Sequence, residues 1–200
     1  MKQKTLIFDI DGTLVEAKQL HHKSFEWAVQ QQHPEFTIST ELANELEGIP
    51  SLNKIEKLQN IGLKLDPARA YRDKQHHTNL HLHMLSWNKN LPKIINELSN
   101  TYNIALASNA RSQFVYKVIS IMELTQVDII LTANFVPINL RKPSPYIFNM
   151  AMQLLNAEPE QTTIFEDSEV GLLAARSSRA KNIIKVNNSD DTYNYLEKLL

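Results

Sequence analysis

The sequence has no cysteine among its 200 residues, which excludes disulfide bonds and any metal site with thiolate ligands. It also lacks a long apolar run: nowhere do about 18 apolar residues follow one another, so no membrane-spanning helix is expected. Neither charge sign is in excess, because 21 lysines and arginines face 22 aspartates and glutamates. Such a balance gives no electrostatic reason to bind nucleic acid or an anionic membrane. The apolar run before Asp9 is too short for a signal peptide, so we expect a soluble cytoplasmic protein.

Short apolar segments predict the strands of a parallel sheet, because continuous apolarity over four or five residues suits a strand that is covered on both faces. The segments are residues 5–8, 104–107, 127–131, 163–165 and 183–186. From about residue 91 onward they alternate with helical patterns, such as the apolar spacing of Leu91, Ile94, Ile95 and Leu98. We therefore predict an α/β fold with a doubly wound, Rossmann-like parallel sheet at its core.

One stretch breaks this alternation. Residues 16–86 show helical patterns one after another and no convincing strand. We therefore predict an all-helical cap at 16–86, inserted into an α/β catalytic core formed by residues 1–15 and 87–200. Open α/β sheets bind ligands at the carboxyl ends of their strands, which is where this insert begins.

Capping residues predict where several helices begin. Asp66 is expected to open a helix that runs towards Trp87. Ser144 is expected to cap a later helix, and Ser189 or Asp190 the last one.

Polar side chains follow three of the predicted strands directly, and a lysine lies between two of these groups. The residues are Asp9, Asp11, Ser108, Asn109, Lys142, Glu166 and Asp167. Because the carboxyl ends of parallel strands form one rim, we expect these side chains to converge there.

Four carboxylates at one rim repel each other and need a cation in order to coexist. Oxygen ligands without cysteine favour a hard ion, and Mg²⁺ is the best candidate. Such a cation, with Ser108 and Lys142 beside it, would attract an anionic substrate, and phosphate fits best. One aspartate would then act as nucleophile and the other as acid/base.

The motifs, taken in order, resemble those of the haloacid dehalogenase superfamily, in its branch of phosphatases and phosphomutases with a helical cap. The matching segments are Asp9-Ile10-Asp11-Gly12-Thr13-Leu14, Ser108 after an apolar strand, Lys142-Pro143-Ser144-Pro145, and Phe165-Glu166-Asp167-Ser168 with Gly171 and Ala174-Ala175. The resemblance covers essentially the whole chain, and it implies Mg²⁺-dependent hydrolysis of a small phosphate monoester through an aspartyl-phosphate.

The resemblance also assigns roles to single residues. It implies catalysis by Asp9 as nucleophile, Asp11 as acid/base, Ser108 and Lys142. The substrate-binding residues would be Thr13, Ser108, Asn109, Arg111 and Lys142. The metal ligands would be Asp9, Asp11, Glu166 and Asp167. The expected partner is a small phosphorylated metabolite rather than nucleic acid or membrane, and the expected state is a monomer.

Two other functions stay open. A sugar phosphomutase similar to β-phosphoglucomutase is one, although that enzyme's cap loop carries two cations where this chain has Glu47 and Ser51 around Gly48. The second is a binding protein that holds a phosphorylated ligand without catalysis, since a fold alone does not prove an activity.

A histidine cluster also stays open as a possible site in the predicted cap. It consists of His76, His77, His81 and His83. His77 and His81 are spaced i, i+4 on a predicted helix and could chelate a transition metal, whereas the alternative is a solvated polar face.

Overall fold

The computed structural model describes residue 2, residues 4–46 and residues 49–200. Its strands are β1 Lys4–Phe8, β2 Tyr102–Ala107, β3 Ile129–Leu131, β4 Thr162–Glu166 and β5 Asn182–Lys185. Its α-helices are α1 Lys18–Gln30, α2 Thr40–Leu46, α3 Ser51–Asn60, α4 Pro67–Leu80, α5 Leu91–Leu98, α6 Ser112–Met122, α7 Tyr146–Leu154, α8 Glu169–Arg176 and α9 Ser189–Leu196. Within the described residues, no helix combines the length and the apolar character that crossing a bilayer requires.

The chain divides into two compact units. The first joins the N-terminal segment through Glu16 to Ser86–Leu200, and the second comprises Ala17–Leu85. The first contains the sheet, and the second contains α1 to α4.

The five strands form one parallel sheet in the order β3-β2-β1-β4-β5. The chain therefore builds outward from β1 through β2 to β3, and then returns to place β4 and β5 on the other side of β1. This change of direction beside β1 is the position at which open α/β sheets bind their ligands. The predicted doubly wound α/β fold is confirmed.

Alternate residues of the central strands supply two separate apolar layers. Ile7 and Ile164 are fully buried in a cluster with residues of α7 and α8. Phe8 and Phe165 stack on each other with ring centroids 4.8 Å apart, and Tyr195 of α9 meets Phe165 edge-on. The sheet is thus covered on both faces, which explains why its strands are continuously apolar in sequence.

The helical unit has an apolar core of its own. Residues of all four helices and of the loop before α4 contribute to it, namely Phe25, Val29, Leu46, Ile55, Leu58, Leu65 and Ala70. Asp66 caps α4 as predicted, since its carboxylate accepts hydrogen bonds from the main-chain N–H groups of Ala68 and Arg69.

Three predicted helix boundaries are wrong, one at the end of a helix and two at the start. Helix α4 ends at Leu80 rather than near Trp87, because the chain tightens into a short 3-10 turn and then becomes extended, where Ser86 forms a bridge with Glu16. Pro145 rather than Ser144 is the cap residue of α7, although the Ser144 hydroxyl accepts a hydrogen bond from the main-chain N–H of Tyr146. The last helix, α9, is capped by Asn188, as the hydroxyl of Ser189 accepts a hydrogen bond from Asn88 instead.

Candidate active site

Three carboxylates come together at the carboxyl ends of β1 and β4. Asp9 follows β1 directly, Glu166 ends β4, and Asp167 comes next. One oxygen of each lies within 4.8 Å of the others, with Asp9 and Glu166 buried and Asp167 partly buried. Among the described residues this is the one group of three or more histidine, aspartate or glutamate side chains whose ligand atoms approach so closely.

Lys142 links two of these carboxylates. Its Nζ donates to Asp9 Oδ1 at 2.5 Å and to Glu166 Oε2 at 2.7 Å, and it also lies 4.7 Å from the ring centroid of Phe148. Lys142 is buried like its partners, so the ion pairs are shielded from water. The other oxygen of Glu166 accepts from both the main-chain N–H and the hydroxyl of Ser168. Both carboxylate oxygens of Glu166 therefore have partners, and the ion pair with Glu166 fixes the orientation of the Lys142 side chain.

Two glycines leave the space that these carboxylates occupy. A Cβ on Gly12 would overlap the carboxylate of Asp167, and Gly12 also has a φ of +89°, in a region that favours glycine. A Cβ on Gly171 would overlap the carboxylate of Glu166. The glycines of the first and fourth motifs thus have a direct steric role at the site.

The carboxylates of the site are buried close to one another, and both effects raise the pKa values of the two aspartates. Burial is the main cause that raises the pKa of Asp9 to about 8; Lys142 opposes this rise, whereas Glu166 and Asp167 add to it. Burial, Glu166 and Asp11 raise the pKa of Asp167 to about 7. Burial alone would lower the pKa of Lys142, but Asp9 and Glu166 reverse this and raise it. An additional positive charge would stabilise both aspartates in their ionised form.

The carboxylates fit a hard divalent cation. Asp167 Oδ1 is buried and has no hydrogen-bond partner within the described part of the chain, although a buried polar atom nearly always has one. The available donors are oxygens only, which suits Mg²⁺ better than a transition metal. Asp9 and Asp167 are the better ligands, because both oxygens of Glu166 already have partners in Lys142 and Ser168, whereas Lys142 binds Asp9 through Oδ1.

Ser108 and Asn109 follow β2 at the same edge of the sheet. The Ser108 hydroxyl is buried and accepts from the main-chain N–H of Ala110, a bond that leaves its proton for another acceptor. The Asn109 side chain forms two bonds with the main chain of Lys142, donating to its carbonyl at 3.1 Å and accepting from its N–H at 3.2 Å. Asn109 therefore holds the segment that carries the lysine.

The remaining predicted residues lie in two loops. Thr13 is fully buried, and within the described residues its hydroxyl has no partner. Asp11 is partly exposed in the same loop and forms a bridge with Val15. Arg111 is exposed at the residue that precedes α6.

Two predictions concern residues of the helical unit. The comparison of Glu47 and Gly48 with the cap loop of β-phosphoglucomutase lies outside the described residues. In the histidine cluster, His77 and His81 stack with centroids 3.8 Å apart and planes within 15°. Lone pairs in the planes of stacked rings do not converge on one ion, so this arrangement does not form a chelate.

The sequence analysis included Ser168 in the fourth motif without assigning it a role, and it missed Thr192. Ser168 caps α8 and donates to Glu166, and a serine three residues before Gly171 could have indicated the cap. Thr192 is fully buried and donates to the carbonyl of Thr13, far away in sequence. No local pattern marks such a contact.

Comparisons with known proteins show the family and the fold of the chain. The profile of the family described as haloacid dehalogenase-like hydrolase matches residues 6–185. A CBBY-like protein of Arabidopsis thaliana is 26% identical over 86% of this chain, which spans only 60% of that protein's length. A fructose-1-phosphate phosphatase of Escherichia coli is 24% identical over 86% of this chain and 91% of its own. The solved structure of CbbY from Rhodobacter sphaeroides in complex with phosphate has a TM-score of 0.76 and 22% identity, and covers 93% of this chain and 87% of that one; it shows a shared fold.

Proposed function

The chain belongs to the haloacid dehalogenase-like hydrolase family, and from this premise we propose that it is a Mg²⁺-dependent phosphatase that hydrolyses a small phosphate monoester through an aspartyl-phosphate on Asp9. The observation that carries the proposal is the buried group of Asp9, Glu166 and Asp167 with Lys142 bound to two of them. The phosphatase name of the relative from Escherichia coli supports the same class of substrate.

Asp9 is the proposed nucleophile. Its carboxylate oxygen attacks phosphorus, the bond from phosphorus to the ester oxygen breaks, and Asp11 gives its proton to the leaving alcohol. In the second half of the reaction, Asp11 takes a proton from a water molecule as that water attacks the phosphorus of the aspartyl-phosphate. The bond between phosphorus and the Asp9 oxygen then breaks, which releases phosphate and restores the carboxylate.

Asp9, Asp167 and the main-chain carbonyl of Asp11 would hold the Mg²⁺, with Glu166 beside them. A bound Mg²⁺ supplies positive charge that reduces the repulsion between a carboxylate and the phosphoryl oxygens. The donors of the chain itself complete the phosphate site. Lys142 offers its ammonium and Ser108 the proton of its hydroxyl, and the main-chain N–H of Asn109 can also face an anion.

The helical residues 16–86 would form the cap that selects the substrate. Small phosphorylated metabolites fit this proposal, because a cap that closes over a phosphate site excludes bulk water and large partners. The same expectation favours sugar phosphates and other small esters over phosphoproteins.

The test is an assay of purified protein against a panel of phosphometabolites and 4-nitrophenyl phosphate, with Mg²⁺ or with a chelator. We expect release of phosphate that requires Mg²⁺. Asp9→Asn should abolish turnover while the protein stays folded by circular dichroism, because an amide oxygen cannot form the acyl-phosphate. Asp73→Asn is the matched control, since Asp73 lies on α4 and pairs only with Arg69 among the ion pairs of the described residues.

Each alternative gives a different result. A sugar monophosphate that is isomerised on addition of a bisphosphate, without loss of phosphate to water, would establish the mutase. Binding of phosphate esters with no turnover above a blank without enzyme would establish the binding protein. Equal turnover by wild type and Asp9→Asn would refute Asp9 as the nucleophile.

A further inference from the structure

The first residues of α9 contact parts of the chain that are far away in sequence. Thr192 Oγ1 donates to the carbonyl of Thr13 at 2.8 Å, and Thr192 is fully buried. The main-chain N–H of Ser189 donates to Glu16 Oε1 at 2.8 Å. We call residues 188–192 the α9 anchor. It lies beyond residue 185, where the match to the family profile ends.

The loop that the anchor contacts is the one that carries Asp11. In this loop the N–H of Gly12 donates to the carbonyl of Val15 at 2.7 Å, and Leu14 and Val15 both donate to the carbonyl of Ile10. These bonds close the loop on itself, but none of them ties it to the rest of the molecule. The bond from Thr192 provides such a tie, and it meets the loop two residues after Asp11.

The anchor also holds both segments through which the chain leaves and re-enters the first unit. On the leaving side, Glu16 accepts from Ser189 through its carboxylate and donates from its main chain to Ser86 at 2.8 Å. On the returning side, Asn88 donates from its main chain to the Ser189 hydroxyl at 2.9 Å and from its side chain to Asp190 at 2.6 Å. A carboxylate at the N-terminus of a helix is favourable, so the contact of Glu16 is stabilised by α9 itself.

We propose that the α9 anchor positions Asp11, with Thr192 holding the loop itself at the Thr13 carbonyl and Ser189 holding Glu16 just after it, both as positioning residues. The idea rests on the proposed function in so far as Asp11 is the acid/base. Thr192 carries most of this role, because its hydroxyl is buried and its loss would leave the Thr13 carbonyl without the donor that it has in this structure. An acid must lie within hydrogen-bond reach of the leaving oxygen, so a small displacement of the loop reduces proton transfer.

Thr192→Val tests the proposal, because valine keeps the shape of threonine but cannot donate. Thr192→Ser keeps the hydroxyl and should restore wild-type behaviour. Tyr193→Phe is the matched control, since it removes an exposed hydroxyl from the same helix, and within the described part of the chain that hydroxyl bonds to Glu197 alone.

Two readouts distinguish positioning from a general loss of folded protein. In the first, kcat/KM is compared for phenyl phosphate and 4-nitrophenyl phosphate, which are similar in shape but differ in their need for an acid. Thr192→Val should lower kcat/KM about tenfold for phenyl phosphate, the poorer leaving group, and about twofold for the nitrophenyl ester. In the second, amide exchange of residues 12–15 should become faster in Thr192→Val than in the wild type and in the Tyr193→Phe control.

Equal losses on the two esters, or unchanged amide exchange of the loop, would overturn the proposal. If the wild type cleaves neither of these esters nor any phosphometabolite of the panel, the proposed function fails. Amide exchange still tests the anchor in that case. Faster exchange of residues 12–15 in Thr192→Val than in the wild type would show that the α9 anchor holds this loop, and unchanged exchange would show that it does not.

Discussion

Replacing Gly171 by alanine should destabilise the protein, although the same change in most helices has the opposite effect. Gly171 lies in α8, where glycine to alanine ordinarily stabilises by about 1 kcal/mol. Here the new Cβ would overlap the carboxylate of Glu166, which is 1% exposed and bonded to Lys142 and Ser168. The carboxylate must therefore move away from its partners.

The magnitude follows from the contacts of Glu166. Breaking a buried ion pair costs about 3–5 kcal/mol. Because Lys142 keeps Asp9 as its second partner, we take the lower end of that range. After the gain of about 1 kcal/mol from alanine, a net loss of about 2 kcal/mol remains. For a chain of this size, that loss lowers the Tm by about 4–8 °C.

A double-mutant cycle isolates the clash. In a Glu166→Ala background the added methyl group meets no carboxylate, so Gly171→Ala should raise the free energy of unfolding by about 1 kcal/mol. Thermal denaturation of the four proteins gives the coupling, which we expect to be about 3 kcal/mol. If Gly171→Ala is stabilising in both backgrounds, the proposed contact between position 171 and Glu166 does not limit stability and the reasoning is wrong.

Further predictions concern the cation, the stacked histidines and Asn109. Mg²⁺ at a hundred times its Kd should raise the free energy of unfolding by about 2.7 kcal/mol, and Asp167→Asn should reduce this gain in a thermal shift assay. Burial, His81 and His76 lower the pKa of His77, so below pH 6.5 the unfolded chain binds more protons than the folded protein. The free energy of unfolding should therefore fall as the pH falls below that value, and it should fall less in His77→Gln. Asn109→Leu, which loses both bonds to Lys142, should lower kcat about tenfold with little change in Mg²⁺ affinity, measured by steady-state kinetics.

The contradicting results differ for each of these. An equal Mg²⁺ shift in wild type and Asp167→Asn would remove Asp167 from the metal site. A pH dependence of stability that is unchanged in His77→Gln would assign that dependence to other groups. A loss of Mg²⁺ affinity as large as the loss of kcat in Asn109→Leu would mean that Asn109 supports the metal ligands rather than Lys142.

The sheet was predictable because its signals are local. Each central strand is a continuous apolar segment, and the polar residues that follow it must lie at one edge when the strands are parallel. The approach of Asp9, Glu166 and Asp167 follows from that topology alone. In the register of β1 and β4, Phe8 lies beside Phe165, so the acidic residues that follow these two strands come to the same edge of the sheet.

The features that escaped prediction depend on partners that are distant in sequence. Helix α4 stops short of Trp87 because Ser86 must extend to meet Glu16. Asn188 rather than Ser189 caps α9, because the Ser189 hydroxyl accepts a hydrogen bond from the main-chain N–H of Asn88. Asn109 was expected to face substrate, and its two bonds to the main chain of Lys142 could not be read from the sequence around either residue.

The most direct test of the account is to quench the protein during turnover of a phosphate ester in Mg²⁺ and to locate the phosphoryl group by mass spectrometry of its peptides. We predict a transient acyl-phosphate on Asp9 that is absent in Asp9→Asn and absent when Mg²⁺ is removed. Steady turnover with the phosphoryl group on another residue, or with no phosphorylated peptide at any time, would contradict it.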